Sequence, residues 1–165
     1  MSSAGVVGKR LQLGFIGSQS RSSDWITDTR VSASEIPFGA PVLLNPDNTV
    51  VLFGEDATDD RFVGFAVRIV KTQQSMFEEV GSYRNGEIVD FALRGSMIVR
   101  LKSGAGTPTA GGAVYVRVAD SATAQAGDIS AVADGTNTVR LTGVRFTTGI
   151  IDDDRVEITI TERRI

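Results

Sequence analysis

From residue 49 to near the C-terminus, apolar side chains recur at every second position in one segment after another. That period belongs to a pleated strand with one face buried and one face open. Val63, Phe65, Val67 and Ile69 fall on one face of 61–70. Val89, Phe91 and Leu93 share a face of 88–94, just after Asn85-Gly86, a dipeptide suited to tight hairpins. Met97, Val99 and Leu101 alternate with Ile98, Arg100 and Lys102, and Val114, Val116 and Val118 alternate with Tyr115 and Arg117. Val139 and Leu141 alternate with Arg140 and Thr142; Gly143 then interrupts before Val144 and Phe146, as a bulge would. Val156, Ile158 and Ile160 alternate with Glu157, Thr159 and Thr161. With 49–53, which follows the turn Asn45-Pro-Asp-Asn48, this makes about seven strands.

Alternation of this kind marks antiparallel sheets, because buried parallel strands read as continuous apolar runs. The expected fold is all-β: an antiparallel β-sandwich or barrel, jelly-roll-like in character. Eighteen glycines and few aromatics suit strands and tight turns. The best helical spacing is short, at Met76, Phe77 and Val80 within 72–80. A length of 165 residues suits one domain.

Residues 1–34 read differently. Large apolar side chains (Leu11, Leu13, Phe15, Ile16, Trp25, Ile26) are scattered without a period among glycines and the polar run 18–23. Such a segment is too polar to build a core, yet apolar enough to lie along another surface. The expectation is an extended N-terminal arm over 1–34 and a single β domain over 35–165. The alternative is an irregular loop packed on its own domain.

Composition removes several kinds of chemistry. There is no histidine, the usual general base and metal ligand near neutral pH, and no cysteine for disulfides or thiolate sites. The net charge is −3, with both signs dispersed and no basic stripe, so no nucleic-acid partner is expected. Apolar runs fall far short of the ~20 residues that span a bilayer, and 1–8 lacks the pattern of a signal peptide, so no membrane partner is expected.

Four local patterns remain. Gly5-Val-Val-Gly-Lys9 has two residues between its glycines where a phosphate loop has four, and Arg10 follows the lysine. The Gly-rich stretch 104–112 lies between strands, with no helix to aim amides at an anion. The acidic groups Glu55, Asp56, Asp59, Asp60 and 152–154 lack the order of a calcium loop and read as solvated turns. No Gly-x-Ser-x-Gly elbow is present, and nothing points to a tuned carboxylate pair. The expectation is a protein that is not an enzyme and needs no cofactor. Arg94, Arg100, Arg117, Arg140 and Arg145 fall on polar strand faces, either solvated or forming a protein interface alongside Tyr115.

Ile36–Leu44, Phe62–Arg68, Gly81–Glu87, Leu93–Val99, Thr107–Arg117 and Thr142–Phe146, taken in that order, resemble stretches of bacteriophage structural cement (capsid decoration) proteins. Ile36-Pro-Phe-Gly-Ala-Pro-Val-Leu-Leu44 is similar to the opening of those proteins, and Phe62-Val-Gly-Phe-Ala-Val-Arg68 to a strand that follows. Gly81-Ser-Tyr-Arg-Asn-Gly-Glu87, Leu93-Arg-Gly-Ser-Met-Ile-Val99 and Thr142-Gly-Val-Arg-Phe146 continue the likeness in order. Thr107-Pro-Thr-Ala-Gly-Gly-Ala-Val-Tyr-Val-Arg117 is the closest stretch, and Gly14-Phe-Ile-Gly17 resembles an early motif. The resemblance implies a β-rich protein on the outer surface of a phage head, made in the host cytoplasm. Its partners would be the major capsid protein, whose neighbouring subunits it clamps, and itself, as a homodimer or homotrimer. It implies no catalytic residues. The capsid interface is expected at Leu11, Leu13, Phe15, Ile16 and Trp25 of the arm and at Arg94, Arg100, Tyr115 and Arg117. The competing expectation is another virion component of the tail, neck or fibre. A carbohydrate-binding domain is disfavoured by one Trp and two Tyr.

Overall fold

The computed structural model describes residues 14–21, 24–71, 81–152 and 154–162. Among these there is no α-helix, and the expected helical stretch 72–80 lies outside them, as do Leu11 and Leu13. The described strands are β1 (Ile26–Val31), β2 (Ile36–Pro37), β3 (Pro41–Leu44), β4 (Val50–Leu52), β5 (Phe62–Ala66) and β6 (Ser82–Tyr83). They continue with β7 (Ile88–Arg100), β8 (Ala113–Arg117), β9 (Ile129–Ser130), β10 (Thr138–Phe146) and β11 (Arg155–Ile160). One sheet runs in the order β4-β3-β5-β7-β11-β10-β8-β9, with β1 also on β7, while β2 and β6 pair separately. The paired strands are antiparallel throughout, as the alternation required.

The sheet curls until its ends meet. A Cβ on Gly127, just before β9, would lie 2.8 Å from Phe53 O and 3.4 Å from Leu52, at the end of β4. Gly127 has φ +91°, so glycine serves both the backbone turn and the close approach. The all-β sandwich or barrel expected from the sequence is the architecture found.

The axis of the molecule is β7, a 13-residue strand where the alternation suggests two separate ones. Its first half lies between β1 and β5, and its second half pairs with β11. The register with β1 slips between Ile26 and Thr27, and Gly95 has φ +117°. Ala92, Met97, Val99 and Leu101 consequently share one hydrophobic cluster, although strict alternation would put Ala92 opposite the other three. Val89, Phe91 and Leu93 join a second cluster. A bulge moves one strand's apolar face from one core to the other.

The first cluster gathers the inward residues of β8, β10 and β11 (Val114, Val116, Leu141, Val144, Phe146, Val156, Ile158, Ile160) with Phe53, Phe62 and Phe65. The Phe62 and Phe65 rings meet edge to face at 5.2 Å. The second packs Ile36, Phe38, Val42 and Val63 around Tyr83, whose hydroxyl donates to Val67 O at 2.6 Å. Each such side chain contributes about 1.5–3 kcal/mol when fully buried.

The structure corrects the expectation for β5. Alternation places Val63 and Phe65 on one face, yet Val63 lies in the second cluster and Phe65 in the first. Every residue of β5 is buried, because both its faces and both its edges are covered. Gly64 permits this: a Cβ there would stand 2.1 Å from Ala92 O. At Gly143 the expected bulge is present, with φ +75° and a register shift against β8 between Arg140 and Arg145.

Of the stretch 1–34, the described part lies on the domain itself. Gly17 N–H donates to Ile98 O at 2.7 Å, Ile98 N–H to Ser18 O at 3.0 Å, and Ser20 N–H to Ser96 O at 2.9 Å. The chain then crosses β7 at Gly95, where a Cβ would meet Asp24 O at 2.7 Å and Trp25 Cε3 at 2.8 Å. It enters β1 at Ile26.

Candidate functional site

The sheet formed by β7, β11, β10, β8 and β9 has an apolar inner face and a polar outer face. Register fixes which residues share the outer one. Ser96 stands across from Thr159, Thr159 from Arg145, and Arg145 from Ala113. In the adjacent rows Tyr115 stands between Arg140 and Ser130, and Arg117 across from Thr138. The Thr159 hydroxyl lies 2.8 Å from that of Ser96 and 2.6 Å from that of Thr147, so hydroxyl contacts join β7, β11 and the residue just past β10.

Glu157 is the buried charge of this face, with no exposed surface. Ser20 Oγ donates to its Oε1 at 2.6 Å, Arg21 Nε reaches the same oxygen at 3.4 Å, and Arg21 also bonds Oε2. Burial pushes the Glu157 carboxyl up, but the Arg21 and Ser20 hydrogen bonds and the Arg21 charge outweigh it and hold the group below the ordinary carboxylate range. The result is an ionised tie between β11 and the segment that crosses β7. Nothing in the sequence singles it out: Glu157 occupies an ordinary polar slot in an alternating strand, and its partners lie more than a hundred residues earlier.

The residues expected at an interface are dispersed. Ile16 is buried against the domain, and Phe15 lies under Arg68, whose guanidinium carbon is 4.5 Å from the ring centroid. Trp25 packs on the first core cluster. Arg94 is exposed and pairs with Asp24 at 2.5 Å. Arg100, at the far end of β7, pairs with Asp154 at 2.6 Å. Arg117 pairs with Asp134 at 2.7 Å. Tyr115 and Arg117 share the outer face of β8, whereas Arg94 lies in the half of β7 that borders β1.

The acidic turns are largely taken up locally. Asp59 Oδ1 accepts the Thr142 N–H at 2.9 Å, and Asp152 pairs with Arg155 at 3.0 Å. Among the described residues no group of three or more carboxylates is placed to hold a metal ion. A cleft of about 260 Å³ lies between 37–41 and 125–129, lined by Ile16, Phe38 and Leu52 and by Arg100, Lys102 and Asp128. Lys102 pairs with Asp128 at 2.8 Å and Arg100 with Asp154, so both of its cations have carboxylate partners.

The fold has a counterpart among solved structures. A chain of "The capsid of Myoviridae Phage XM1" superposes with a TM-score of 0.75 over 99% of both chains, at 16% sequence identity, which is a likeness of fold. No curated protein matches the sequence. Residues 5–160 match a family of phage capsid proteins, in keeping with the cement-protein resemblance of the motifs. The chain belongs to the family described as XM1 gp53 minor capsid protein.

Proposed function

We propose that this protein is a non-enzymatic cement protein that binds the outer surface of a phage head and clamps neighbouring major capsid subunits. The observation that carries this reading is the family match along residues 5–160. The surface is consistent with it. A clamp works through contact area rather than a reactive group, and the curled sheet offers a broad polar face over a continuous core. The arm is one contact with the shell, through Leu11, Leu13, Phe15, Ile16 and Trp25, of which Ile16 and Trp25 also pack on the domain. Tyr115 and Arg117 on β8 supply a second contact, and assembly as a homodimer or homotrimer would place several such contacts on one lattice. Many copies acting together multiply a modest contact energy.

Heads assembled without this protein provide the test. Saturable binding of the purified protein, with a higher rupture temperature for the loaded heads, is the expected result. The saturating copy number would locate the sites on the lattice. Failure to bind a matched head would overturn the reading in favour of a tail, neck or fibre component.

A further inference from the structure

The cleft of about 260 Å³ between 37–41 and 125–129 has an apolar lining that includes Ile16, Phe38, Pro41, Leu52, Ala126 and Ile129. Its cations are paired, Lys102 with Asp128 and Arg100 with Asp154. The main-chain amides of its walls are largely engaged as well. Phe38 N–H donates to Gly81 O, Gly39 N–H to Ala66 O, Gly127 N–H to Arg117 O and Ala126 N–H to Asp120 Oδ1. Neither an anion nor a strand added through ladder hydrogen bonds is well served by such walls. What the cleft offers is apolar surface, at a size that takes a few side chains rather than a folded domain.

Residues 1–13, which lie outside the described residues, join the structure at this cleft. Gly14, the first described residue, is two positions from Ile16, which is buried in the wall. Gly14 O accepts from Arg155 Nη1 at 3.4 Å, and Arg155 stands across from Arg100, another lining residue. The chain changes direction here: Gly14 has φ +107°, and Ser18 N–H donates to Phe15 O at 3.0 Å to close a turn. A tether that starts at the rim presents its apolar groups to the cleft at high effective concentration. Leu11 and Leu13 are the nearest such groups, separated by Gln12. In an extended chain both point to one side and Gln12 to the other, within about 10 Å of Gly14.

We infer that in the free protein this cleft is the docking site of the chain's own Leu11 and Leu13, held by side-chain burial rather than by main-chain pairing. The contact takes two leucines out of water, which stabilises the unassembled protein and hides apolar side chains from other copies. It also makes the arm self-capping. The leucines assigned to the shell are occupied until assembly, so docking on a head requires their release from the cleft. The release step rests on the cement reading; occupancy of the cleft does not.

The chain has no cysteine, so a pair of introduced thiols reports the contact without background. Gln12→Cys with Gln125→Cys keeps both leucines and places the second thiol on the cleft lining. In dilute protein with oxidised glutathione, this pair is expected to close an intramolecular disulfide about tenfold faster than Gln12→Cys with Thr136→Cys. Thr136 is exposed and outside the lining. Equal rates overturn the assignment, and so does a disulfide that joins two copies, which would give the cleft to another copy's arm. Leu11→Ser with Leu13→Ser is expected to lower the melting temperature by about 4 °C or more. An unchanged melting temperature likewise overturns it. Heads assembled without this chain test the release. The reduced thiol pair is expected to bind them like the wild type, and the oxidised form about tenfold more weakly or worse. Equal binding by the two forms overturns the release step alone. Heads that do not bind the wild type overturn the cement reading and leave the cleft assignment standing.

Discussion

Glu157 stays ionised without any exposed surface because Ser20 and Arg21 close over it. Its folded pKa lies below the ordinary carboxylate value of about 4.3. A group depressed in this way stabilises the fold above its unfolded pKa, and that contribution disappears as pH falls through the folded value. Thermal melts from neutral pH down to about 3 should therefore show the wild type losing its advantage over Glu157→Gln as the solution becomes acidic. Asp47, held down by hydrogen bonds from Thr49, and Glu87, held down by Lys71, titrate in the same direction in both proteins. The difference between the two curves isolates Glu157. At neutral pH, Glu157→Ala should cost about 1–3 kcal/mol, toward the low end because half-exposed Arg21 can return to water. A gap between wild type and Glu157→Gln that is flat across the pH range would show that the charge of Glu157 does not hold the crossing segment.

The strands differ in how openly the sequence declares them. β8, β10 and β11 alternate cleanly, because each has one face on the core and one face polar. The Gly143 bulge is legible for the same reason: glycine inside a regular alternation leaves a gap in the strand's packing, which a bulge accounts for. β5 misleads because its register against β3 shifts between Phe62 and Gly64, which moves its side chains from one face to the other. β7 looks like two strands because its bulge moves the apolar face between cores. β1 is hidden because Asp28 and Arg30 occupy the half-buried positions where apolar residues would announce a strand. These two residues also explain how β1 tolerates a place beside β7 with no second strand partner among the described strands. Ser32 N–H donates to Glu87 O, so even-numbered residues of this strand face β7 and the Thr29 peptide groups face away. Thr29 N–H donates to Asp28 Oδ1 at 2.8 Å, and Arg30 Nη1 donates to Thr29 O at 2.8 Å. Asp28 and Arg30 pair with each other at 2.8 Å, and Arg30 Nε donates to Asn48 Oδ1 at 2.9 Å. The edge is blocked by its own side chains, a guard against pairing with another chain. Asp28→Ala with Arg30→Ala should leave stability within about 1 kcal/mol of wild type. Light scattering should detect larger species than wild type at the same concentration, growing with concentration. Identical scattering would mean that the unguarded edge is not adhesive.

At the scale of the molecule, the question is whether the curled sheet behaves as one body. All-β architecture is legible in the alternation, but the curl is not, because closure depends on contacts such as Gly127 against Phe53 that have no sequence period. The two hydrophobic clusters could belong to two independently stable halves, one built on β3, β4 and β5 and the other on β8, β10 and β11. The path of β7 argues against that division. Its first half supplies Val89, Phe91 and Leu93 to one cluster, and its second half supplies Met97 and Val99 to the other. β5 likewise divides its side chains, with Val63 and Ala66 in one cluster and Phe62 and Phe65 in the other. Neither cluster can come apart without pulling both strands out of the other. The segment 17–21 adds a further link, pairing with β7 and bonding Glu157 on β11. The protein should therefore unfold in a single transition, with the calorimetric and van't Hoff enthalpies equal and a heat-capacity increment of about 12–15 cal/mol/K per residue. Because the pairings are largely non-local, refolding should take milliseconds to seconds rather than microseconds. Two resolved calorimetric transitions would show that β7 joins two separate folding units. A single transition would show that strain applied at any part of the sheet is resisted by the whole of it, and that no half yields alone.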